Sequence, residues 1–402
     1  MSRTALLRLA RLLLVFGLVS IGCSLTGRSA APTAVPIPPT MPVPSPKVPD
    51  PTQTSAPAPI PTHERSTAAP FQPTAGPGDI EVDYVYTSNL ITILYPLYGS
   101  KLDDFAIVTL KNPRTTTARV LVESEITGYT NRAADTVTVD PGDTLEVRQN
   151  PLLIADKIDQ LNSMKPAQFY LRVAELGGSE QMLLLETTGD TTVYARRDFP
   201  WSIPGFTQTE VFELLASMVT PNDPNVEELL RKAADYTDSG IIWGGYGDNV
   251  NDEGGGVWDR LEAIWEAEND DYDLTYVSTW ISYAPGSVQR IRLPAEVLDQ
   301  RSGNCIELAL LYASAAEAMD LEAAIVLIPG HAFMGVRMDQ VNADYYFIET
   351  TMIGRSSFEN AVTRGKEEFE EAISHMGGDE EWYGWVTIWD AREKGILPLP
   401  WR

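Results

Sequence analysis

Sulfur and imidazole are scarce in this chain: 402 residues carry two cysteines and three histidines. Cys23 and Cys305 cannot make a multi-bridge disulfide framework, and with only His63, His331 and His375 beside them no zinc-ligand spacing can be written. Neither a metal nor a cofactor is therefore expected. Basic charge is short as well, with 30 Lys and Arg against 56 Asp and Glu and a formal net charge of −26. Such a surface repels phosphate backbones, which argues against nucleic acid as a partner, and it favours basic substrates. Long apolar runs are missing too. The one near the start, residues 12–21, is too short to span a bilayer.

The flanks of that run give it another meaning. Arg3, Arg8 and Arg11 precede it and Gly22-Cys23 follow, the layout of an export signal over residues 1–22. Ser20-Ile21-Gly22-Cys23 resembles a bacterial lipobox, which implies cleavage before Cys23, acylation of its thiol, and an exported protein held at the cell envelope by a lipid anchor in the membrane. A lipidated Cys23 cannot pair with Cys305, so Cys305 becomes a lone thiol outside the cytosol, either buried and inert or kept for its reactivity. Residues 23–79 are dominated by Pro, Ala, Thr and Ser. They lack the large apolar side chains that would offset the entropy of ordering and read as a disordered tether. Extended at about 3.1 Å per residue, it would reach on the order of 150 Å.

Composition changes near residue 80. Short alternating segments at 80–86, 105–110, 118–124, 136–139, 168–173 and 181–186, separated by turns such as Asn112-Pro113 and Pro141-Gly142-Asp143, predict an all-β, immunoglobulin-like sandwich over 80–198. No cluster of catalytic side chains lies in it. From 199 to 402 the pattern is α+β. Helices are expected at 210–215, 226–232, 258–268, 294–300, 305–319 and 358–373, and strands at 274–283, 323–328, 331–338, 345–350 and 385–389. Two acidic stretches, 248–254 and 269–273, read as solvated loops. The first has the oxygen density of a calcium site, but Arg260 stands where its bidentate Glu would be. Trp382, Trp385, Trp389 and Trp401 are expected to pack the carboxy-terminal core.

Cys305 stands at a helix start, in Ser302-Gly303-Asn304-Cys305-Ile306-Glu307. Asn304 as cap and Glu307 three residues later form a capping box, which sets Cys305 in the first helical position. There the positive end of the helix favours thiolate over thiol, and the unpaired N–H groups could hold the oxyanion formed when sulfur attacks a carbonyl. A thiol nucleophile needs a base. His331 opens the second strand after that helix, in Pro329-Gly330-His331, whereas His375 lies by a Gly377-Gly378 loop without apolar framing. On the next strand Tyr345, Phe347 and Glu349 share a face, so a hairpin would bring Glu349 to His331 to hold its tautomer. Trp280, Gln289 and Gln300 are the upstream side chains that could donate to an oxyanion or support the site.

The ordered pieces Gln289-Arg290-Ile291-Arg292-Leu293-Pro294, Gly303-Asn304-Cys305, Gly330-His331-Ala332-Phe333 and Ile348-Glu349-Thr350-Thr351 resemble the bacterial transglutaminase-like superfamily with its papain-like core, over roughly 205–402. The resemblance implies Cys305 as nucleophile, His331 as base and Glu349 as third member, where Asp is more common. It further implies acyl transfer from a protein or peptide amide to water or an amine. A non-catalytic cell-surface binding protein with a degenerate core is the alternative.

Overall fold

The computed structural model describes residues 79–177, 180–246, 255–278, 287–340, 344–376 and 382–399. The export signal, Cys23, most of the tether, the 248–254 loop, Trp280, the Gly377-Gly378 loop and Trp401 lie outside these residues. Among the described residues no helix is long and apolar enough to cross a membrane.

Strands β1 (Glu81–Tyr86), β2 (Asn89–Leu90), β3 (Ala106–Lys111), β4 (Ala118–Ile126), β5 (Ala133–Val139), β6 (Thr144–Gln149), β7 (Lys165–Gly177) and β8 (Glu180–Val193) form two sheets, ordered β1-β3-β6 and β2-β8-β7-β4-β5. Alternation drives this. In β4 every second residue, from Ala118 through Val120 and Val122 to Ile126, is buried while the residues between are not. The inner faces of both sheets meet in one cluster that includes Tyr86, Val108, Val122, Phe169 and Val173. Polar links also join the sheets inside, among them buried Ser124 Oγ donating to Oε1 of Gln149 at 2.7 Å. A buried hydroxyl and amide are tolerated there because each finds a partner. Helix α1 (Ala155–Asp159) lies between β6 and β7.

Strand β9 (Asp198–Pro200) leads to helices α2 (Gln208–Glu213), α3 (Pro224–Ala233) and α4 (Gly255–Asp270). Two short strands follow, β10 (Thr275–Tyr276) and β11 (Val288–Arg290), the latter antiparallel to β9. The strand expected over 274–283 therefore amounts to two residues before the chain leaves the described set. Helix α5 (Pro294–Gln300), strand β12 (Ser302–Gly303) and helix α6 (Cys305–Ala318) come next. Strands β13 (Ala323–Ile328), β14 (His331–Arg337), β15 (Tyr345–Ile348) and β16 (Gly384–Thr387) make an antiparallel sheet in the order β15-β14-β13-β16, with helix α7 (Phe358–Ala372) inserted before β16. The result is a mixed α/β protein.

Helix α6 is buried from Cys305 through Ala316, so it is the central rod of the larger core rather than a surface helix. Ile325, Leu327, Met334 and Ile348 belong to the same core as α6, while Val326, Phe333 and Phe347 form a second cluster with Phe369 of α7 and Trp385. The four-stranded sheet is thus covered on both faces. Gly365 lets α7 approach closely, because a Cβ there would lie 2.6 Å from the Phe347 carbonyl carbon and oxygen. Phe369, one turn on, then stacks on Phe347 with centroids 3.7 Å apart.

The carboxy-terminal strand expected at 385–389 ends two residues early. Thr387 donates its hydroxyl to the Asp390 carboxylate and helix α8 (Ile388–Glu393) begins. That helix turns Trp389 outward at 59% exposure, so this tryptophan does not pack the core, whereas Trp382 and Trp385 do.

The two large cores are joined. The 3₁₀ turn Thr92–Leu97 belongs to the first part of the chain, yet Ile93, Leu94 and Leu97 are buried in the core built around α6. Arg290 Nη2 reaches back to the Asn162 carbonyl at 2.8 Å, and Arg197 pairs with Glu296 at 2.5 Å.

Candidate active site

Asn304 adopts an extended conformation and caps α6: its side-chain oxygen accepts the Glu307 N–H at 3.1 Å, while Glu307 Oε2 accepts the Asn304 N–H at 3.0 Å. Helix geometry leaves the N–H groups of Cys305 and Ile306, the first two positions, without intrahelical acceptors. Glu307 is buried, and an anion there needs compensation. Arg292 provides it from three donors, with N and Nε on Oε1 at 2.9 and 3.0 Å and Nη2 on Oε2 at 2.6 Å. The first turn of α6 is therefore clamped from the preceding segment.

His331 is placed by a two-residue turn. Ile328 pairs with His331 across Pro329-Gly330, and Gly330 has φ +76, which a type II turn requires after proline. The β14–β15 register pairs Met334 with Ile348, and continuing it sets position 349 opposite Phe333, on the face His331 shares. The imidazole Nε2 lies 2.6 Å from Glu349 Oε2. Glu349 Oε1 accepts both the backbone N–H of Thr351, at 2.9 Å, and its hydroxyl. The Glu-Thr-Thr sequence thus fixes the longer acid from behind and aims its other oxygen at the ring.

His331 opens its strand at the end of the sheet, so groups from both sides can reach it. Cys305, at the start of α6, acts on the ring and favours its protonated form. With Nε2 taken by the carboxylate, Nδ1 is the nitrogen left for sulfur. Glu368 of α7 adds a second carboxylate, its Oε2 3.4 Å from Nε2. Burial by itself lowers the proton affinity of His331, but the interactions with Cys305, Glu349 and Glu368 outweigh it and raise the imidazole well above its ordinary range. Burial pushes the other way on Glu349, and the bond from His331 overrides that to hold its carboxyl well below the usual range. Cys305 is 2% exposed, and the His331 side chain 22%.

Of the other residues singled out in sequence, Gln300 is exposed and accepts from Arg292 Nη1 at 2.7 Å. Gln289 is buried in β11, where Oε1 accepts the Trp201 indole N–H at 3.0 Å. Among the described residues neither hydrogen-bonds Cys305; one steadies the Arg292 clamp and the other the contact of β11 with the first part of the chain. His375 stacks on Tyr383. Glu368 was not foreseen. Its only sequence mark is adjacency to the buried stripe of α7, at Phe358, Ala361, Gly365 and Ala372, whereas its i,i+4 spacing from Arg364 reads as a solvated ion pair. His331, Glu349 and Glu368 are also the set among the described residues whose donor atoms, all within 4.8 Å of one another, could hold a cation. A cation there would have to displace the Nε2 proton.

The site thus lies in a mixed α/β fold, with a cysteine at a helix start and a histidine at the start of a strand in an antiparallel sheet. The family model described as the transglutaminase-like superfamily matches residues 293–372, the segment that holds Cys305, His331, Glu349 and Glu368. Over those residues the chain is similar to that superfamily. Among solved structures, a protein from Cytophaga hutchinsonii described as a candidate cysteine protease is similar at 11% identity, with 61% of this chain and 75% of that one covered and a TM-score of 0.21. A similarity that low carries no further weight. Comparison with curated proteins finds no match.

Proposed function

We propose that this protein is a thiol acyl-transfer enzyme acting on peptide or side-chain amides, with Cys305 as nucleophile, His331 as acid and base, and Glu349 as the residue that orients the ring. The observation that carries the reading is the bond of His331 Nε2 to Glu349 Oε2 at 2.6 Å, on a ring whose proton affinity Cys305 at the start of α6 also raises. Sγ attacks the amide carbon, and the N–H groups at the start of α6 receive the negative oxygen. The C–N bond breaks as the imidazolium gives its Nδ1 proton to the departing amine, which leaves a thioester on Cys305. Water or an amine then attacks, His331 takes its proton, and the C–S bond breaks to return the thiolate.

The proposal includes the chain's organisation: a signal at 1–22, a lipid on Cys23, a disordered tether over 23–79, an immunoglobulin-like sandwich over 80–198 and the catalytic domain over 199–402. It would place the enzyme outside the cytoplasm, on a protein or peptide substrate, with no role for nucleic acid. Wild-type protein should be labelled by an electrophilic amide probe, and Cys305→Ala should lose the label while keeping its circular dichroism. Equal labelling of the variant rejects Cys305.

The 2% exposure of Cys305 favours a second reading, a surface binding protein with an inert core, because reactive thiols usually sit where reagents can reach them. Iodoacetamide kinetics against pH separate the two. An inert thiol hardly reacts at any pH that keeps the fold.

A further inference from the structure

Glu349 commits both its oxygens, Oε1 to Thr351 and Oε2 to His331. Glu368 does not. Its Oε1 is held at 2.8 Å by Arg364 Nη2, one turn earlier on α7, while its Oε2 is buried, 3.4 Å from His331 Nε2, and makes no hydrogen bond of good geometry. Arg364 is half exposed and also neighbours Glu367, so solvent and that second acid weaken its hold on the field of Glu368. The close approach of α7 that Gly365 permits is what brings Glu368 within range, since it lies one turn beyond that glycine.

The titratable and charged groups facing the ring are Cys305 from α6, Glu349 after β15, and Glu368 from α7 with Arg364 behind it. One carboxylate suffices to fix the tautomer of a histidine. A second negative charge against the same nitrogen has a different effect, because it penalises the neutral ring without adding a bond that the neutral ring lacks.

Building on the thiol-enzyme reading above, we infer that Glu368 is a positioning residue that sets how strongly His331 keeps its proton. The charged ring is the form present before sulfur attacks and again after the thioester is cleared, and the neutral ring is the form needed in between to take a proton from the second nucleophile. Glu368 therefore favours the resting ion pair and slows the second half-reaction relative to an enzyme with one acid.

The test is a titration of His331 by ¹H–¹⁵N spectroscopy on protein labelled at histidine, with only three such residues to assign. Glu368→Gln should bring deprotonation of His331 down by about one pH unit or more relative to wild type, with Glu368→Asp between them. Superimposable curves, flat ones included, overturn the proposal, as does a variant that changes thermal unfolding without moving the titration. The reading of Cys305 fails separately: an unlabelled Cys305 with a displaced Glu368→Gln titration removes the enzyme and leaves Glu368's effect on the ring, whereas a labelled Cys305 with unmoved titration removes only the effect.

Discussion

At the scale of single residues, the His331–Glu349 pair ties stability to pH on both sides. A carboxyl held below its ordinary value of 4.5 stabilises the fold above that pH and loses the effect as pH falls through it. An imidazole raised above its ordinary 6.5 stabilises the fold fully below that pH and loses the effect as pH rises. The gap in Tm between wild type and Glu349→Gln should therefore be widest between about pH 4.5 and 6.5 and narrow in both directions. A gap independent of pH would mean that the pair does not form. Much of this site was legible in the sequence. Cys305 follows from a cap, His331 from its place at a strand start after one helix and one strand, and Glu349 from two-residue alternation across an assumed hairpin, with the resemblance supplying their roles. Glu368 was not, because its role depends on how closely two elements approach and on an acid–arginine spacing that normally faces water.

Among elements, agreement is best where one strong local rule governs. Pro294 opens α5 and the Asn304–Glu307 box opens α6, so both starts were readable to the residue. Where two rules compete, local sequence misleads. Trp385 to Trp389 is rich in strand-forming residues, but Thr387 and Asp390 cap a helix within it. Strands β9 and β11, three residues each, went unnoticed because they are short and owe their existence to each other across a long stretch of chain. The packing of α7 on β15 makes its own prediction. Gly365→Ala inserts a methyl group against backbone atoms that cannot rotate away. It should cost about 1–3 kcal/mol in urea unfolding. No loss would show that the helix can ride outward freely.

For the whole molecule, composition and period announced two regions with different architecture, but not how they join. The joint is the 3₁₀ turn around Leu94, a fully buried residue of the first region lodged in the core of the second. A run such as Thr92-Ile93-Leu94-Tyr95-Pro96-Leu97 looks like another loop with apolar content, since nothing nearby in sequence covers it. Leu94→Ala should destabilise by about 2–5 kcal/mol. Both regions should still unfold in one transition, by tryptophan fluorescence for the second and far-ultraviolet dichroism for the whole. Two separated transitions in the wild type would contradict a shared core.

That lodging also sets an order of events during synthesis. The ribosome releases residues 92–97 well before the helices around α6 that cover them, so an oily hexapeptide waits in the open while more than a hundred further residues are made. In this interval the nascent chain is most exposed to sticking to its neighbours, and a holding chaperone would have most to offer there.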